Sequence, residues 1–336
     1  MEKESRRRAG GHGNEESTED RVDQAMKQLS LWNFRTDAAI LAPGTRVVDL
    51  FCGVGGFSCG AAKAGHPIVL AVDSNEVFLK AHERNHPNCQ HILAEMPCEL
   101  PFPTSGEWHL HCSPPCTKLS IMNNLRYDDE TDEALQLVRW YIGLVKNAKP
   151  TSWSLEQVMH GGVIDMLDEL KRKHPLTYDY EIVDAYNYEV PQHRKRLIAG
   201  SPHIIRNLRE FTPSKRVCVR DVIPNPPREW IRNNLYSRPH HKTKERVAVP
   251  FKDTMRSVDG PCFVALATGH RRWATKDGEV LRHLNAEETA LIQTFPSDYK
   301  LPKSNTLGLV AVGNAVPPRV AEIMMAPTKA NKQPRL

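Results

Sequence analysis

The stretch Thr45-Arg46-Val47-Val48-Asp49-Leu50-Phe51, running into Cys52-Gly53-Val54-Gly55-Gly56, constrains this chain more than any other. A β-branched run breaks into a glycine turn and then into a helix-compatible segment from Phe57 to Ala64, so the order is strand, turn, helix. A second strand is expected from Pro67 to Val72, ending in Asp73, which lies 73 − 53 = 20 residues past the first turn glycine. Glycines let backbone approach a ligand closely, free N–H groups at a helix start favour an anionic group, and an acid at this offset can grip ribose hydroxyls. Ser58 stands where a dinucleotide fingerprint has its third glycine, which argues against NAD. The pattern predicts an α/β fold and favours a nucleoside-bearing cofactor over a purely structural turn.

The same rhythm continues. A helix from Asn75 to Asn85 and a short strand from His91 to Ala94 follow, with Glu95 at the strand end and directed at the same cofactor. Trp108 to Cys112 reads as the fourth strand and leads into Ser113-Pro114-Pro115-Cys116. Ligands of open parallel sheets gather beyond the carboxyl ends of the strands, which places Gly53, Asp73 and Cys116 on one rim. A free cysteine is usually a small buried hydrophobe, but two prolines disfavour regular burial here, so Cys116 reads as a nucleophile. The polar loop from Thr117 to Thr131 could close over a substrate.

Leu135, Val138, Tyr141, Ile142 and Val145 keep helical spacing in Ala134 to Asn147, and Thr151 to Leu155 then reads as a fifth strand ending in Glu156-Gln157-Val158. Glu156 thus joins the rim opposite Cys116. A helix from Val163 to Lys173 and a strand from Tyr178 to Asp184 lead to an extended segment in which Gln192, Arg194 and Arg196 alternate with period two and share one face. The alternative is a charged edge strand that blocks pairing.

Charge matters through its location. Net charge is only +5, yet residues 201–280 hold 16 Lys/Arg against 8 Asp/Glu, so this stretch is +8 and the remainder is 5 − 8 = −3. A local positive field suits a polyanion, although a solvated basic face is the plain alternative. Basic residues there are interleaved with Trp230, Tyr236, Phe263 and Trp273, and Arg271 and Arg272 are candidate nucleic-acid contacts together with Gln192. Further on, Asn285 and Glu288 have capping-box spacing, and Gly313 to Pro318 forms a turn before a final helix.

These features divide the chain into a disordered leader (1–28), a cofactor-binding catalytic domain (29–200), a small basic domain (201–280), a return to the catalytic domain (281–326) and a tail. No apolar run reaches transmembrane length and the charged N-terminus lacks a signal-peptide core, so an intracellular protein is expected. Its eight cysteines are expected to be thiols, and no C-x-x-C pairs recur at zinc-ribbon spacing, so no metal is expected.

Over about residues 45–325 the ordered set of motifs resembles the cytosine-C5 DNA methyltransferase family. Asp49 to Gly56 is similar to its S-adenosyl-L-methionine turn, Ser113-Pro114-Pro115-Cys116 to its Pro-Cys nucleophile loop, Glu156-Gln157-Val158 to Glu-Asn-Val, and Gln192 to Arg196 to Gln-x-Arg-x-Arg. The last two motifs match Arg282 through Pro296 and Gly313 to Pro318, and the basic stretch stands where the family keeps its target-recognition region.

The resemblance implies a Rossmann-like sheet with a smaller inserted domain. It also implies a monomer acting on double-stranded DNA, in a nucleus if eukaryotic or a cytoplasm if bacterial or viral. It assigns Phe51, Gly53, Gly55, Asp73, Glu95, Asn314 and Val316 to the cofactor, and Cys116, Glu156, Arg194 and Arg196 to catalysis on a flipped cytosine. Arg194 and Arg196 would hold phosphate or the Glu156 carboxyl. Thr117, Gln157 and Glu95 depart from the usual glutamine, asparagine and aspartate. Rival readings are a tRNA-methylating relative, whose Cys-Phe-Thr signature Pro261-Cys262-Phe263-Val264 resembles in part, and a non-catalytic cofactor- or DNA-binding relative.

Overall fold

The computed structural model describes residues 41–115, 129–173, 178–233, 237–239, 246–248, 250–265 and 271–327. The expected leader, Cys116 with the loop after it, Tyr236, and the tail from residue 328 lie outside the described residues.

Among the described residues, seven strands form one sheet: β1 (Arg46–Leu50), β2 (Ile68–Asp73), β3 (Gln90–Leu93), β4 (Trp108–Cys112), β5 (Ser152–Gln157), β6 (Asp179–Asp184) and β7 (Lys195–Gly200). Their order is β3-β2-β1-β4-β5-β7-β6, and β7 runs antiparallel to both neighbours while the others pair in parallel. The chain reverses direction across the sheet between β1 and β4, so the crevice beyond their carboxyl ends is the expected place for a ligand.

Alternation along β1 sends Val47 to one core and Val48 and Leu50 to the other. On the first face, α1 (Gly56–Lys63) packs against the C-terminal helix α8 (Pro318–Met324) and buries Phe57 and Ala61 with Val320, Ala321 and Met324. The second face is covered by α3 (Asp129–Ala148) and α4 (Gly161–Lys173), whose Val138, Tyr141, Val163 and Leu167 meet Leu110 and Leu155. The predicted apolar stripe of α3 is buried as a unit. Between β2 and β3, α2 (Glu76–Asn85) begins at Asn75, whose side chain accepts from the backbone of Val77 and Phe78.

The small basic domain does not begin at residue 201. Residues 202–210 form α5 (Pro202–Glu210), and its Ile204, Ile205 and Leu208 belong to the same core as Val47 and Met324. Pro202 at the helix start is placed for an early turn, and the basic residues of α5 masked its apolar stripe.

The second unit has its own core of Val219, Ile231, Val258, Cys262, Trp273 and Leu284. Four short strands cover it in the order β11 (Met255–Ser257), β8 (Trp230–Asn233), β12 (Arg271–Ala274), β13 (Val280–His283). β9 (Ser237–Pro239) and β10 (Arg246–Ala248) form a separate antiparallel pair. From there α6 (Ala286–Ile292) and α7 (Asn305–Asn314) return the chain to the large sheet, α6 starting at the capping box of Asn285 and Glu288.

Candidate active site

A pocket opens beyond the carboxyl ends of β1, β2, β4 and β5, and its walls come from far apart in the chain. Phe51, Gly53 and Asp73 line it together with Ser113, Pro114 and Pro115 and with Glu156, Arg194 and Arg196. Asn314 and Val316 close it from the C-terminal turn.

The glycine turn is held by the acid twenty residues on. Asp73 accepts from the Gly53 backbone N–H at 2.8 Å through Oδ2 and from Asn75 at 2.7 Å through Oδ1. Burial raises its pKa despite these bonds. Gly53 has φ 54° and open space where a Cβ would stand, whereas Phe51 takes φ 55° without being glycine, a conformation costing roughly 1 kcal/mol that is kept where surrounding structure enforces it.

Gly55 faces away from the pocket, and a Cβ there would meet His82 and Tyr299 at 2.7 Å. It serves packing. Gly56 takes the place expected of it on the pocket wall, because a Cβ would come within 2.2 Å of the Val316 carbonyl. Glu95 is exposed beyond the end of β3 and is absent from the lining.

Glu156 sits within β5, buried, and Arg196 on the adjacent antiparallel β7 brings Nε to 3.0 Å from its Oε1. The expected alternation holds: His193 and Lys195 are exposed while Gln192, Arg194 and Arg196 turn inward. The three have different surroundings, however. Arg194 donates to the carbonyls of Ala265, Gly313 and Ala315, tying β7 to the second unit and to the C-terminal turn. It is 2% exposed and lines the pocket with Glu156 and Arg196.

Gln192 is fully buried, bonded to Gln293 and to the backbone N–H of Ala265. Arg271 is also buried and donates to Thr289. Both side chains are buried against protein partners, which charge and polarity along the sequence do not reveal. Trp273 is likewise core, its indole N–H donating to Glu288. Arg272 is half-buried at the surface, opposite Arg232 on β8 and His283 on β13.

Two features were missed by the sequence reasoning, and of these Asp49 lines the pocket. Asp49 lies on β1 beneath the turn, accepts from Ser58 Oγ at 2.7 Å, and has its other oxygen without a hydrogen-bond partner among the described residues. Burial pushes its carboxyl up to about 7. An acid inside an apolar strand was the available signal. Gln157 was noted only as a departure, yet its amide donates to the Pro114 carbonyl at 3.2 Å and fixes the start of the loop toward Cys116. Cys116 itself lies outside the described residues; the seven described cysteines are all free thiols. Among the described residues no group of His, Cys, Asp and Glu could hold a metal, and no helix is long and apolar enough to cross a membrane.

Comparison with known proteins gives a consistent picture. The chain is 28% identical over 322 residues to the type II methyltransferase M.MthTI of Methanothermobacter thermautotrophicus, covering 82% of this chain and 94% of that protein. To the type II methyltransferase M.HgiDI of Herpetosiphon aurantiacus it is 27% identical, covering 87% and 96%. Among solved structures, a putative DNA modification methyltransferase encoded within an E. coli prophage superposes with TM-score 0.57 at 19% identity, over 84% of this chain and 97% of that one. Spodoptera frugiperda DNMT2 superposes with TM-score 0.54 at 17% identity, over 83% and 99%. These two likenesses establish the fold. The family model described as C-5 cytosine-specific DNA methylase matches residues 45–246 and 206–329. The chain belongs to the C-5 cytosine-specific DNA methylase family and is a DNA cytosine-5 methyltransferase.

Proposed function

We propose that the protein transfers a methyl group from S-adenosyl-L-methionine to C5 of cytosine in double-stranded DNA, through covalent addition of Cys116 to C6 of a base turned out of the helix. The observation that carries this reading is that the Glu156–Arg196 pair and the Gly53–Asp73 turn line one pocket. One pocket thus offers groups for a substrate ring and for a nucleoside cofactor.

The residues fit the cofactor. Asp73 offers carboxylate oxygens to a ribose, Gly53 leaves open space, and the unpartnered oxygen of buried Asp49 suits a cationic donor such as the amino group of a methionine moiety. When bound, S-adenosyl-L-methionine supplies an electrophilic methyl group.

The C5 of cytosine is a weak nucleophile. A thiolate from Cys116 adding to C6 makes C5 enamine-like and able to take the methyl group. Addition pushes electron density toward N3, where Glu156 shares a proton while accepting from the exocyclic amine. Arg196 fixes the Glu156 carboxyl from β7, and Gln157 holds the Pro114 carbonyl so that the nucleophile loop starts from a set position. Arg194 positions the C-terminal turn from the pocket wall. Turning the base out costs roughly a few kcal/mol. Phosphate contacts from surface cations such as Arg232 and Arg272 offset it and weaken as salt rises.

The test is methyl transfer from labelled S-adenosyl-L-methionine to duplex DNA, with tRNA in parallel. Label is expected in 5-methylcytosine of the DNA, and Glu156→Gln should lower the rate about 100-fold or more with cofactor affinity unchanged. Label confined to tRNA, or absent from both, contradicts the reading.

A further inference from the structure

Four polar side chains from four elements form one hydrogen-bonded line, and the reaction as described uses only the first of them. Asp49 Oδ2 on β1 accepts from Ser58 Oγ on α1 at 2.7 Å, Ser58 Oγ lies 3.0 Å from His82 Nε2 on α2, and His82 Nδ1 lies 2.8 Å from His91 Nε2 on β3. Asp49 lines the pocket, and its Oδ1 is buried without a hydrogen-bond partner among the described residues. Ser58 and His82 are buried, whereas His91 is half-exposed.

The glycine turn is shaped to admit this line. A Cβ on Gly55 would stand 2.7 Å from His82 Cδ2 and 3.1 Å from its Nε2, so a glycine there leaves the space the ring takes. Tyr299 closes the same space, its hydroxyl donating to the Val54 carbonyl at 2.6 Å. Apolar side chains could fill this volume without the cost of desolvating a hydroxyl and an imidazole, so packing alone does not call for Ser58 and His82.

An ionised carboxylate only accepts, a hydroxyl donates once, and a neutral imidazole has one donor and one acceptor nitrogen. With Asp49 ionised, Ser58 must donate to it, His82 must donate from Nε2 to Ser58, and His91 must donate from Nε2 to His82 Nδ1. Every bond is then made. With a proton on Asp49 Oδ2 the line runs the other way, from Asp49 to Ser58, to His82 and to His91. The direction of the line is thus tied to the charge on Asp49.

The neighbours do not supply that charge with a counter-ion. Around Asp49 stand the Asp73 carboxyl, which opposes its ionisation, and the side chains of Cys52, Cys89, Cys112, Tyr141 and Tyr299, whose own ionisation burial disfavours. His86 and His91 face His82, and Glu83 and the Cys89 backbone face His91. Burial holds His82 well below the usual histidine range and lowers His91, so both rings rest neutral. The donors to Asp49 come from Ser58, through its hydroxyl and its backbone N–H.

We propose that Ser58, His82 and His91 are positioning residues for the amino group of the cofactor: donating in series toward Asp49, they hold its carboxylate ionised with Oδ1 left to take an ammonium. The proposal rests on the S-adenosyl-L-methionine reading above. Burial pushes Asp49 up to about 7, so near neutral pH the line is divided between its two directions, and the ammonium selects the one that points into the pocket. None of the three touches the reacting atoms.

The experiment is calorimetric titration of the full chain with S-adenosyl-L-homocysteine, which has the same amino group and no methyl to transfer, and with its desamino analogue, which keeps the nucleoside, thioether and carboxylate. For the unaltered protein, affinity for S-adenosyl-L-homocysteine should rise as pH increases through about 7, and affinity for the analogue should not. Ser58→Ala should weaken S-adenosyl-L-homocysteine roughly tenfold and leave the analogue unchanged. His91→Phe keeps a ring and removes the donor, so it should weaken S-adenosyl-L-homocysteine roughly threefold and move the rise to higher pH, because a carboxyl that loses donors is a weaker acid. His91→Gln offers an amide N–H toward His82 and should restore both. The two His91 variants lie at the half-exposed end and serve if Ser58→Ala fails to fold.

Equal losses for the two ligands overturn the positioning role, as does a folded His91→Phe with the affinity and pH profile of the unaltered protein. Binding of neither ligand by the unaltered protein overturns the cofactor reading, and the proposal with it.

Discussion

Gly56 shows how a single residue is fixed by something distant in sequence. In an exposed helix, alanine in place of glycine would stabilise by about 1 kcal/mol. Here the added Cβ would stand 2.2 Å from the Val316 carbonyl and 3.0 Å from the Ala315 side chain, so the C-terminal turn would have to move. Overpacking of this kind costs about 3 kcal/mol and outweighs the helix term. Gly56→Ala should therefore lower the urea midpoint and weaken cofactor binding together. A variant at least as stable as the parent would show that the turn adapts freely. The contrast with Gly55 is instructive: both glycines stand in one motif, and only contacts with His82, Tyr299 and Val316 tell their tasks apart.

At the scale of elements, local signals were legible and partners were not. β4 was read with its observed limits, and the capping box at Asn285 is present in both directions, the Asn285 side chain accepting from Glu288 N–H and the Glu288 carboxylate from Asn285 N–H. Because α6 also supplies Glu288 to Trp273, the cap fixes an element that joins both cores. Asn285→Ala should cost about 1 kcal/mol, read as a lower urea midpoint with unchanged slope, and no change would mean the carboxylate alone suffices. Period-two alternation correctly put Gln192, Arg194 and Arg196 on one face. It could not say that the first two close on protein carbonyls and amides while Arg196 meets Glu156, since that depends on residues about 40 to over 100 positions away. α5 was absorbed into the basic stretch because net charge was summed across a helix whose apolar side faces the first core.

For the whole molecule, buried histidines set the response to acid. Burial holds His86 and His203 down to about 4, and lowers His82, His109 and His111 as well, from an ordinary value of 6.5. Such groups contribute stability that is present above 6.5, the unfolded value, and is lost as pH falls toward the folded values. Asp49 acts in the opposite sense: raised from 3.8 to about 7, it contributes stability present below 3.8 and lost as pH rises through about 7. Six lowered histidines, His91 among them, outweigh the two raised carboxylates Asp49 and Asp73, so the thermal midpoint should fall steadily from about pH 6.5 toward pH 4. A midpoint that rises on acidification over that range would contradict the assignment of neutral buried rings. Composition gave no hint of this, since it records fifteen histidines without saying which are enclosed.

The central claim is that Cys116 forms a bond to a cytosine held by Glu156 in the pocket that takes the cofactor. The most direct measurement is incubation with duplex DNA containing 5-fluorocytosine and S-adenosyl-L-methionine, followed by denaturing electrophoresis. Fluorine at C5 cannot leave as a proton does, so the covalent intermediate should persist as a protein–DNA band that Cys116→Ser abolishes. No band, or one that survives Cys116→Ser, would contradict the account.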